Sequence, residues 1–195
     1  MDNNLNPKPR CAWVPIGDAL YEAYHDTEWG VPVYEDRKIF EFLVLESAQA
    51  GLSWITVLRK RENYRKAFAD FDPQKIARFS PQKVQQLLGN AGIIRNRLKI
   101  EAAINNAQRF LEVQEEFNTF SKYIWDFVGG KPIQNKWKKH SDLPVTTVRA
   151  EALSKDLKQR GFKFLGPTIL YAHMQATGMV NDHTVGCFRY KDFSR

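Results

Sequence analysis

Apolar residues recur along most of this chain at spacings of three and four, which is the repeat of an α-helix with one buried face. The strongest example is residues 35–50, which include an unbroken apolar run at residues 42–45. Ile39, Phe42 and Leu43 share one face of this predicted helix, and Glu46 and Ala50 continue that face. A carboxylate is therefore expected to point inward, where a glutamate is rare unless it is paired or functional.

The same periodicity predicts helices along much of the remaining chain. Asp72-Pro73 and Ser80-Pro81 each place a capping residue before a proline, which is typical of a helix start. The further predicted helices cover residues 17–27, 53–71, 73–79, 81–88, 93–116, 117–128, 150–160 and 167–177. We expect a polar, basic loop over residues 129–144 and a short helical turn within residues 179–190. Because no segment alternates apolar and polar residues with a period of two, the predicted fold class is all-α.

The composition indicates a folded protein with a basic surface. The 195 residues, 43% of them hydrophobic, suit one domain over residues 11–195, or two lobes sharing one core, after a flexible tail over residues 1–10. No apolar run has the length of a membrane span, and the first residues lack the apolar region of a signal peptide, so we expect a cytoplasmic protein. The net charge of +7 favours a polyanionic partner such as nucleic acid.

An aromatic group accompanies the predicted inward carboxylate. Gly51 is expected to end the helix of Glu46, and Ser53 to begin the next helix just before Trp54. An anionic pocket lined by aromatic rings suits a flat, cationic ligand. The alternatives are a structural glutamate bonded to an amide or arginine, and a plain aromatic core. The aromatic candidates are Trp13, Tyr21, Tyr24, Trp29 and Trp54.

Two cysteines lie near opposite ends of the chain, and each has a histidine within reach in the sequence. Cys11 precedes His25, and His183 precedes Cys187 by four residues, which is one helical turn. Two cysteines and two histidines could form a tetrahedral zinc site that joins the N- and C-terminal segments. The alternatives are ordinary buried side chains or a Cys11–Cys187 disulfide, which a reducing compartment disfavours.

A glycine-flanked hairpin connects two predicted helices at residues 157–168. Gly161 and Gly166 leave backbone N–H groups near the start of the second helix, where a phosphate can bind. Lys158, Arg160 and Lys163 add positive charge. The pattern fits a helix-hairpin-helix element that holds the DNA backbone without reading sequence, and it also fits an ordinary helix–helix turn. His140 and His173 have no ligand-like partner and are expected to be structural or exposed.

Six motifs in this order resemble the 3-methyladenine DNA glycosylase I family. They are Cys11-Ala12-Trp13, YHDTEWGVP at residues 24–32, LESAQAGLSWITVL at residues 45–58, AGIIR at residues 91–95, GFKFLG at residues 161–166 and VNDH at residues 180–183. The resemblance implies the all-α helix-hairpin-helix DNA glycosylase fold. It also implies an enzyme that flips 3-methyladenine out of double-stranded alkylated DNA and hydrolyses its N-glycosidic bond, leaving an abasic site.

The resemblance also implies roles for individual residues. Glu46 is the carboxylate that binds the methylated base, and its part in bond breaking stays open. Gly51 and Leu52 approach the lesion gap in the DNA, and Lys163 and Gly166 belong to the DNA-binding hairpin. The expected base-stacking residues are Tyr24 and Trp54, with Trp13, Trp29 and Tyr21 nearby. The expected ligands of a structural zinc ion are Cys11, His25, His183 and Cys187.

The sequence departs from the wider superfamily at two positions. Many members carry a catalytic aspartate where Asn181 stands here, and bifunctional members carry a lysine where Pro167 and Thr168 follow the hairpin glycine. We therefore expect a monofunctional enzyme that does not cleave the DNA strand. Because lesion recognition needs only one chain, we also expect a monomer. A non-catalytic helix-hairpin-helix DNA-binding module and a zinc-organised interaction domain are the alternative hypotheses.

Overall fold

The computed structural model describes residues 8–192, in which helices are the dominant element. The first half of the described chain holds α1 (Ala19–Thr27), α2 (Asp36–Gln49), α3 (Trp54–Leu58), α4 (Arg61–Ala67), α5 (Pro73–Ile76) and α6 (Pro81–Gly89). The second half holds α7 (Arg97–Phe117), α8 (Phe120–Asp126), β1 (Ile133–Gln134), α9 (Val148–Gln159), α10 (Pro167–Ala176) and β2 (Val180–Asn181). The two short strands pair in parallel, with Ile133 opposite Val180.

The helix starts follow the capping signals in the sequence. Asp18 accepts a hydrogen bond from the Tyr21 amide, and Asp72 accepts from the amide of Gln74. Ser80 does the same for the Lys83 amide, with Pro81 at the first helical position. The caps predicted at Asp72 and Ser80 are thus confirmed. A cap and its helix are neighbours in sequence, so few other groups compete for the capping side chain.

The predicted helix over residues 53–71 is wrong as a single element. It divides into α3, α4 and a 3₁₀ turn, Ala69–Phe71, whose three residues all have positive φ and cannot continue an α-helix. Asp70 in this turn pairs with Arg37 and Arg65, at 3.2 and 2.8 Å. Arg65 of α4 and Arg37 of α2 thus both pair with the turn that ends this helical segment.

The chain also differs from the sequence prediction at residues 93 and 179–190. The long helix begins at Arg97 because Asn96 caps it through the Lys99 amide. Residues 179–190 form β2 and a series of turns in place of a helical turn. A two-residue strand is too short to show the alternation from which strands are predicted.

The helix α2 lies at the centre of the fold. Every residue from Ile39 to Ala48 is buried, and α2 contacts α3, α7, α8 and α10. A helix that is covered on all sides must be apolar nearly all round, which explains its unbroken hydrophobic run. Within the buried stretch the only charged side chains are Glu41 and Glu46, so the environment of each carboxylate decides its role.

The two ends of the described chain meet. The Phe188 amide donates to the Pro9 carbonyl at 2.9 Å, and Arg10 pairs with Asp26 at 2.7 Å. Residues 8–10 of the tail expected at residues 1–10 therefore make contacts, while residues 1–7 lie outside the described part. Within residues 8–192, no helix combines the length and apolar character needed to cross a membrane.

Candidate active site and metal centre

The two buried carboxylates of α2 have opposite surroundings. Glu41 accepts from Arg61 at 2.7 Å and Arg65 at 3.0 Å, and Lys38 lies 3.0 Å away. Glu46, 4% exposed, makes no hydrogen bond or ion pair with any residue that the structure describes. Glu41 thus belongs to a structural ion network, whereas the Glu46 carboxyl group is free to bind a ligand.

The environment of Glu46 favours its neutral form. Burial raises the pKa of this carboxyl from 4.5 to about 8, because the surrounding residues replace water without supplying a cation. Burial, and then the nearby Glu46, also hold the pKa of Tyr24 well above its usual value. A positively charged ligand that enters beside Glu46 would favour the carboxylate, so ligand charge and Glu46 ionisation are linked.

Glu46 lines a cavity of about 220 Å³. All five aromatic residues proposed from the sequence line this cavity: Trp13, Tyr21, Tyr24, Trp29 and Trp54. The sequence analysis missed Gln49, His140, Leu143, Ala172 and Gln175, which also line it. Gln49 could have been found, since it lies three residues after Glu46 on α2. The others come from the loop before α9 and from α10, and no local pattern connects those segments to Glu46.

The rings form one continuous aromatic wall. Tyr24 and Trp54 have ring centroids 5.4 Å apart, and Trp13 lies 5.5 Å from Tyr21 and 5.1 Å from Trp29. Because the Tyr24 and Trp54 rings are in contact, with an angle of 46° between their planes, no space for a flat ligand lies between them. The indole N–H groups of Trp13 and Trp54 are buried and have no hydrogen-bond partner within the described residues. Two unpaired donors beside an unpaired carboxyl group are typical of a site that awaits a polar ligand.

A tight turn follows α2 at the edge of this cavity. Gly51 has a φ of +79°, which favours glycine, and no atom lies within 4 Å of where its Cβ would be. The backbone conformation therefore selects glycine here, and crowding within the protein does not. Leu52 is 41% exposed, so the turn presents an apolar side chain to solvent. Ser53 occupies the N-cap of α3, but its hydroxyl pairs with Thr56 Oγ1 at 2.8 Å and not with an amide.

The predicted hairpin joins α9 to α10. The Lys163 amide donates to Asn106 Oδ1 and the Lys163 carbonyl accepts from Asn106 Nδ2, both at 2.8 Å, so α7 fixes the hairpin backbone. Gly166 is the N-cap of α10. Phe164 at the hairpin tip has a φ of +56° and is 39% exposed, a feature that the sequence did not indicate. Lys163 and Gly166 do not line the cavity, but α10 contributes Ala172 and Gln175 to it.

Asp182 is saturated with hydrogen bonds. Its Oδ1 accepts from Asn135 at 2.6 Å and Trp137 at 2.8 Å, and its Oδ2 accepts from Tyr171 at 2.5 Å and Gln175 at 2.8 Å. The side chain is 1% exposed. With its acceptor sites filled, this carboxylate has a structural role and is not placed to activate water.

The four candidate metal ligands come together. One ligand atom from each of Cys11, His25, His183 and Cys187 lies within 4.8 Å of the others, and all four residues are buried. Both cysteines are free thiols, so the disulfide alternative is not observed. Residues 183–187 form a turn and not the helix that their spacing suggested, yet Cys187 Sγ still lies 3.5 Å from His183 Nδ1. This cluster could hold a metal ion.

Both histidine rings are oriented by bonds on their outer sides. His25 Nδ1 lies 2.8 Å from Asp26 Oδ1, and His183 Nε2 lies 3.2 Å from the Trp29 carbonyl oxygen. Their remaining nitrogens face the sulfur atoms, with His25 Nε2 3.4 Å from Cys187 Sγ. Metal-binding histidines have this arrangement, in which an outer acceptor fixes the ring and leaves the inner nitrogen as ligand.

The cysteine–histidine cluster packs against the side of the aromatic wall that faces away from the cavity. The Trp29 ring lies 4.6 Å from the ring of His183, and the Trp13 ring lies 5.4 Å from the ring of His25. Trp13 also follows Cys11 by two residues, and Tyr24 directly precedes His25. The position of the ligands therefore sets the position of the wall.

Known proteins match almost the whole chain. A family model described as methyladenine glycosylase matches residues 13–190. DNA-3-methyladenine glycosylase 1 of Escherichia coli (strain K12) is 51% identical over 181 residues, which are 93% of this chain and 96% of that protein. A crystal structure of 3-methyladenine DNA glycosylase I superimposes with a TM-score of 0.90 at 52% identity, covering 92% of this chain and 98% of that one. The match confirms the all-α fold that the sequence predicts.

A second solved structure carries a ligand. It is a variant of 3-methyladenine DNA glycosylase I in complex with 3-methyladenine, 40% identical, with a TM-score of 0.89 over 92% of this chain and 96% of that one.

Proposed function

The chain belongs to the methyladenine glycosylase family, and from this premise we propose that it hydrolyses the N-glycosidic bond of 3-methyladenine in alkylated, double-stranded DNA. The products are the free base and an abasic site. The observation that carries the proposal is the unpaired, buried carboxyl group of Glu46 in an aromatic cavity. Such a site suits a flat cation, and methylation at N3 makes adenine in DNA a flat cation.

Selectivity follows from charge. The cationic base stabilises the Glu46 carboxylate and is attracted to the faces of Tyr24 and Trp54, whereas neutral adenine gains neither interaction. A neutral base also leaves the Glu46 carboxyl group without its partner. Undamaged adenine is therefore rejected by the loss of favourable contacts.

The reaction needs little acid catalysis because the base already carries positive charge. The bond between the sugar C1′ and the base nitrogen breaks, and its electron pair moves to the base, which leaves as a neutral molecule. Water adds at C1′ and releases one proton to solvent, which leaves a hydroxyl group on the abasic sugar. The protein extracts the base, holds it against the wall and positions the sugar for water. Glu46 is the one charged residue to which we assign direct contact with the reacting base, beside the aromatic faces of Tyr24 and Trp54. Pro167 and Thr168 follow Gly166, so no lysine is placed there to form a Schiff base, which supports a monofunctional enzyme.

The DNA is expected to lie across the turn and the hairpin. Leu52 and Gly51 enter the gap left by the flipped base, since the turn is exposed beside the cavity. Lys163 and the hairpin before α10 hold the backbone, with Gly166 at the positive end of that helix.

We propose zinc as the ion in the cysteine–histidine cluster. Two thiolates and two imidazoles are the ligands of closed, tetrahedral zinc sites, whose role is structural. When bound, zinc supplies no reaction chemistry here and holds the N- and C-terminal segments together. We further propose that residues 11–195 act as one domain and as a monomer, in the cytoplasm.

The decisive test is product analysis with methylated duplex DNA. We expect the protein to release free 3-methyladenine and leave intact strands with abasic sites. Release of no base, with DNA binding retained, would favour the non-catalytic DNA-binding module. Strand breaks formed without added alkali, or trapping of a covalent complex by borohydride, would contradict the monofunctional assignment.

We expect Asp182→Asn to affect stability far more than excision. The N–H group of the new amide would face N–H and O–H groups that now donate to Asp182. We expect this to lower the free energy of unfolding by about 3 kcal/mol and Tm by about 6 to 12 °C. Excision per folded molecule should stay within about tenfold of wild type, whereas losing a general base costs about 100-fold or more. An unchanged Tm with excision abolished would identify Asp182 as catalytic.

A further inference from the structure

The turn that is proposed to enter DNA follows a helix end held by a lysine from another helix. Lys99 Nζ donates to the Ala48 carbonyl at 2.9 Å and to the Ala50 carbonyl at 2.6 Å. The last carbonyls of a helix lack partners within the helix, and a cation at this end is also favourable to the helix dipole. Lys99 thus satisfies two carbonyls on either side of the point where α2 ends.

The backbone position of Lys99 is itself fixed by contacts at the start of α7. Its amide donates to the Asn96 cap at 3.1 Å, and the Ile94 amide just before donates to the buried Tyr64 hydroxyl at 3.1 Å. Gly92 allows this loop to approach Asn63, because a Cβ there would lie 3.0 Å from Asn63 Cγ. The motif at residues 91–95, which the function left unexplained, therefore sets where α7 begins and where Lys99 points.

The turn beyond α2 has few other restraints. The Leu52 amide donates to the Gln49 carbonyl at 2.6 Å, and Gly51 and Leu52 are exposed. Glu46 lies in the last helical turn before these carbonyls, so the same helix end carries the base-binding group and leads to the inserted side chain. Lys99 Nζ is bonded to these two carbonyls and makes no ion pair with Glu46 among the described residues.

We propose that Lys99 is a positioning residue for base extraction, which holds the end of α2 so that Leu52 enters the DNA while Glu46 receives the base. This inference rests on the proposed glycosylase function. Lys99 touches neither the base nor the reacting bond, and its effect is geometric. A displacement of about 1 Å in such a site costs about 100-fold in rate, so a modest shift of the turn is measurable.

The test compares K99M with R97M in single-turnover release of 3-methyladenine from methylated duplex DNA. Arg97 is the matched control because it places a cation on the same turn of α7 but pairs with Glu101, at 3.3 Å. K99M should be slower than wild type by about tenfold or more, R97M within about threefold, and K99R close to wild type. Affinity of K99M for free 3-methyladenine, measured by tryptophan fluorescence, should fall less than threefold.

Two further readouts separate positioning from other roles. The salt dependence of K99M binding to DNA should match that of wild type, since a phosphate contact would lower the slope by about one. L52A and K99M should be non-additive, because both act through the same turn. If K99M does not fold, K99Q, which keeps one donor, takes its place with an intermediate loss.

Several results would overturn the proposal. These are equal losses in K99M and R97M, equal losses of free-base binding and excision in K99M, a lower salt slope, or additivity with L52A. Wild-type protein in the same reactions distinguishes a failure of the glycosylase function from a failure of the role of Lys99. If wild type releases no base, the glycosylase function fails; if wild type is active and K99M equals it, only the role of Lys99 fails.

Discussion

Glu46→Gln is expected to lower the single-turnover rate of 3-methyladenine release by about 10- to 100-fold. Glutamine keeps the shape and one acceptor but loses the negative charge, and a hydrogen bond to a charged group is worth about 1.5–3 kcal/mol. Affinity for the free base should fall as well. Glu41→Gln is the matched control, because Glu41 is equally buried on α2 but already paired with Arg61 and Arg65. It should lower stability while excision per folded molecule is retained.

The pH dependence gives the Glu46 prediction a second readout. With a pKa of about 8, the free enzyme is mostly neutral at Glu46 below that pH, so kcat/KM should rise with pH and level off above about 8. The residual activity of E46Q should lack this rise. A wild-type profile without the rise, or excision unchanged in E46Q, would contradict a central role for the carboxylate.

Stability should change with pH in the opposite direction. The folded-state pKa of about 8 exceeds the ordinary value of 4.5, so between these values the folded protein binds a proton that the unfolded chain has released. The contribution of Glu46 to stability is therefore present below about pH 4.5 and is lost as pH rises to about 8, at about 1.4 kcal/mol per unit of pKa shift. The unfolding free energy of E46Q relative to wild type should accordingly increase from pH 5 to pH 8.

Removing the metal is expected to have the largest effect on stability. We expect about one zinc ion per chain, and Cys187→Ala should lose it and lower Tm by more than about 10 °C. Structural zinc sites contribute about 10–16 kcal/mol in small peptides, and at this chain length each kcal/mol corresponds to about 2–4 °C. Base binding should fall too, because Trp13 and Trp29 pack edge-to-face against the rings of His25 and His183, respectively.

His140→Ala is the control for the metal prediction. His140 lines the cavity but lies outside the cluster, so zinc content and Tm should stay at wild-type values. The zinc assignment fails if pure, active protein contains no metal while Cys11 and Cys187 react freely with a thiol reagent.

The parts of the fold that sequence predicted well are those that neighbours in sequence decide. Asp72 and Ser80 each cap a helix that begins with the proline directly after them. The apolar run before Glu46 likewise predicted that the Glu46 side chain points into the core. The break at residues 69–71 was missed because its three positive φ values fall on non-glycine residues, which give no turn signal in the sequence. The strand pair was missed because two residues carry no periodicity.

The site residues that sequence could predict are likewise those that lie close together along the chain. Glu46, Gly51 and Trp54 are close in sequence and could be joined by helical spacing, and Gln49 could have been added. His140, Leu143 and Gln175 reach the cavity only through tertiary packing, and the Lys99 contacts span about 50 positions. The aromatic residues were identified by type, but sequence could not show that Tyr24 and Trp54 form one wall and not the two sides of a slot.

The meeting of distant ligands has a consequence for synthesis of the protein. Cys11 and His183 are 172 residues apart, so the ribosome needs about 10 to 35 s after making the first ligand to make the third. During that interval Trp13 and Tyr24 have no fixed ligand shell behind them. We therefore expect the nascent chain to bind a damaged base only after the segment around residues 183–187 has left the ribosome and packed against the N-terminal segment.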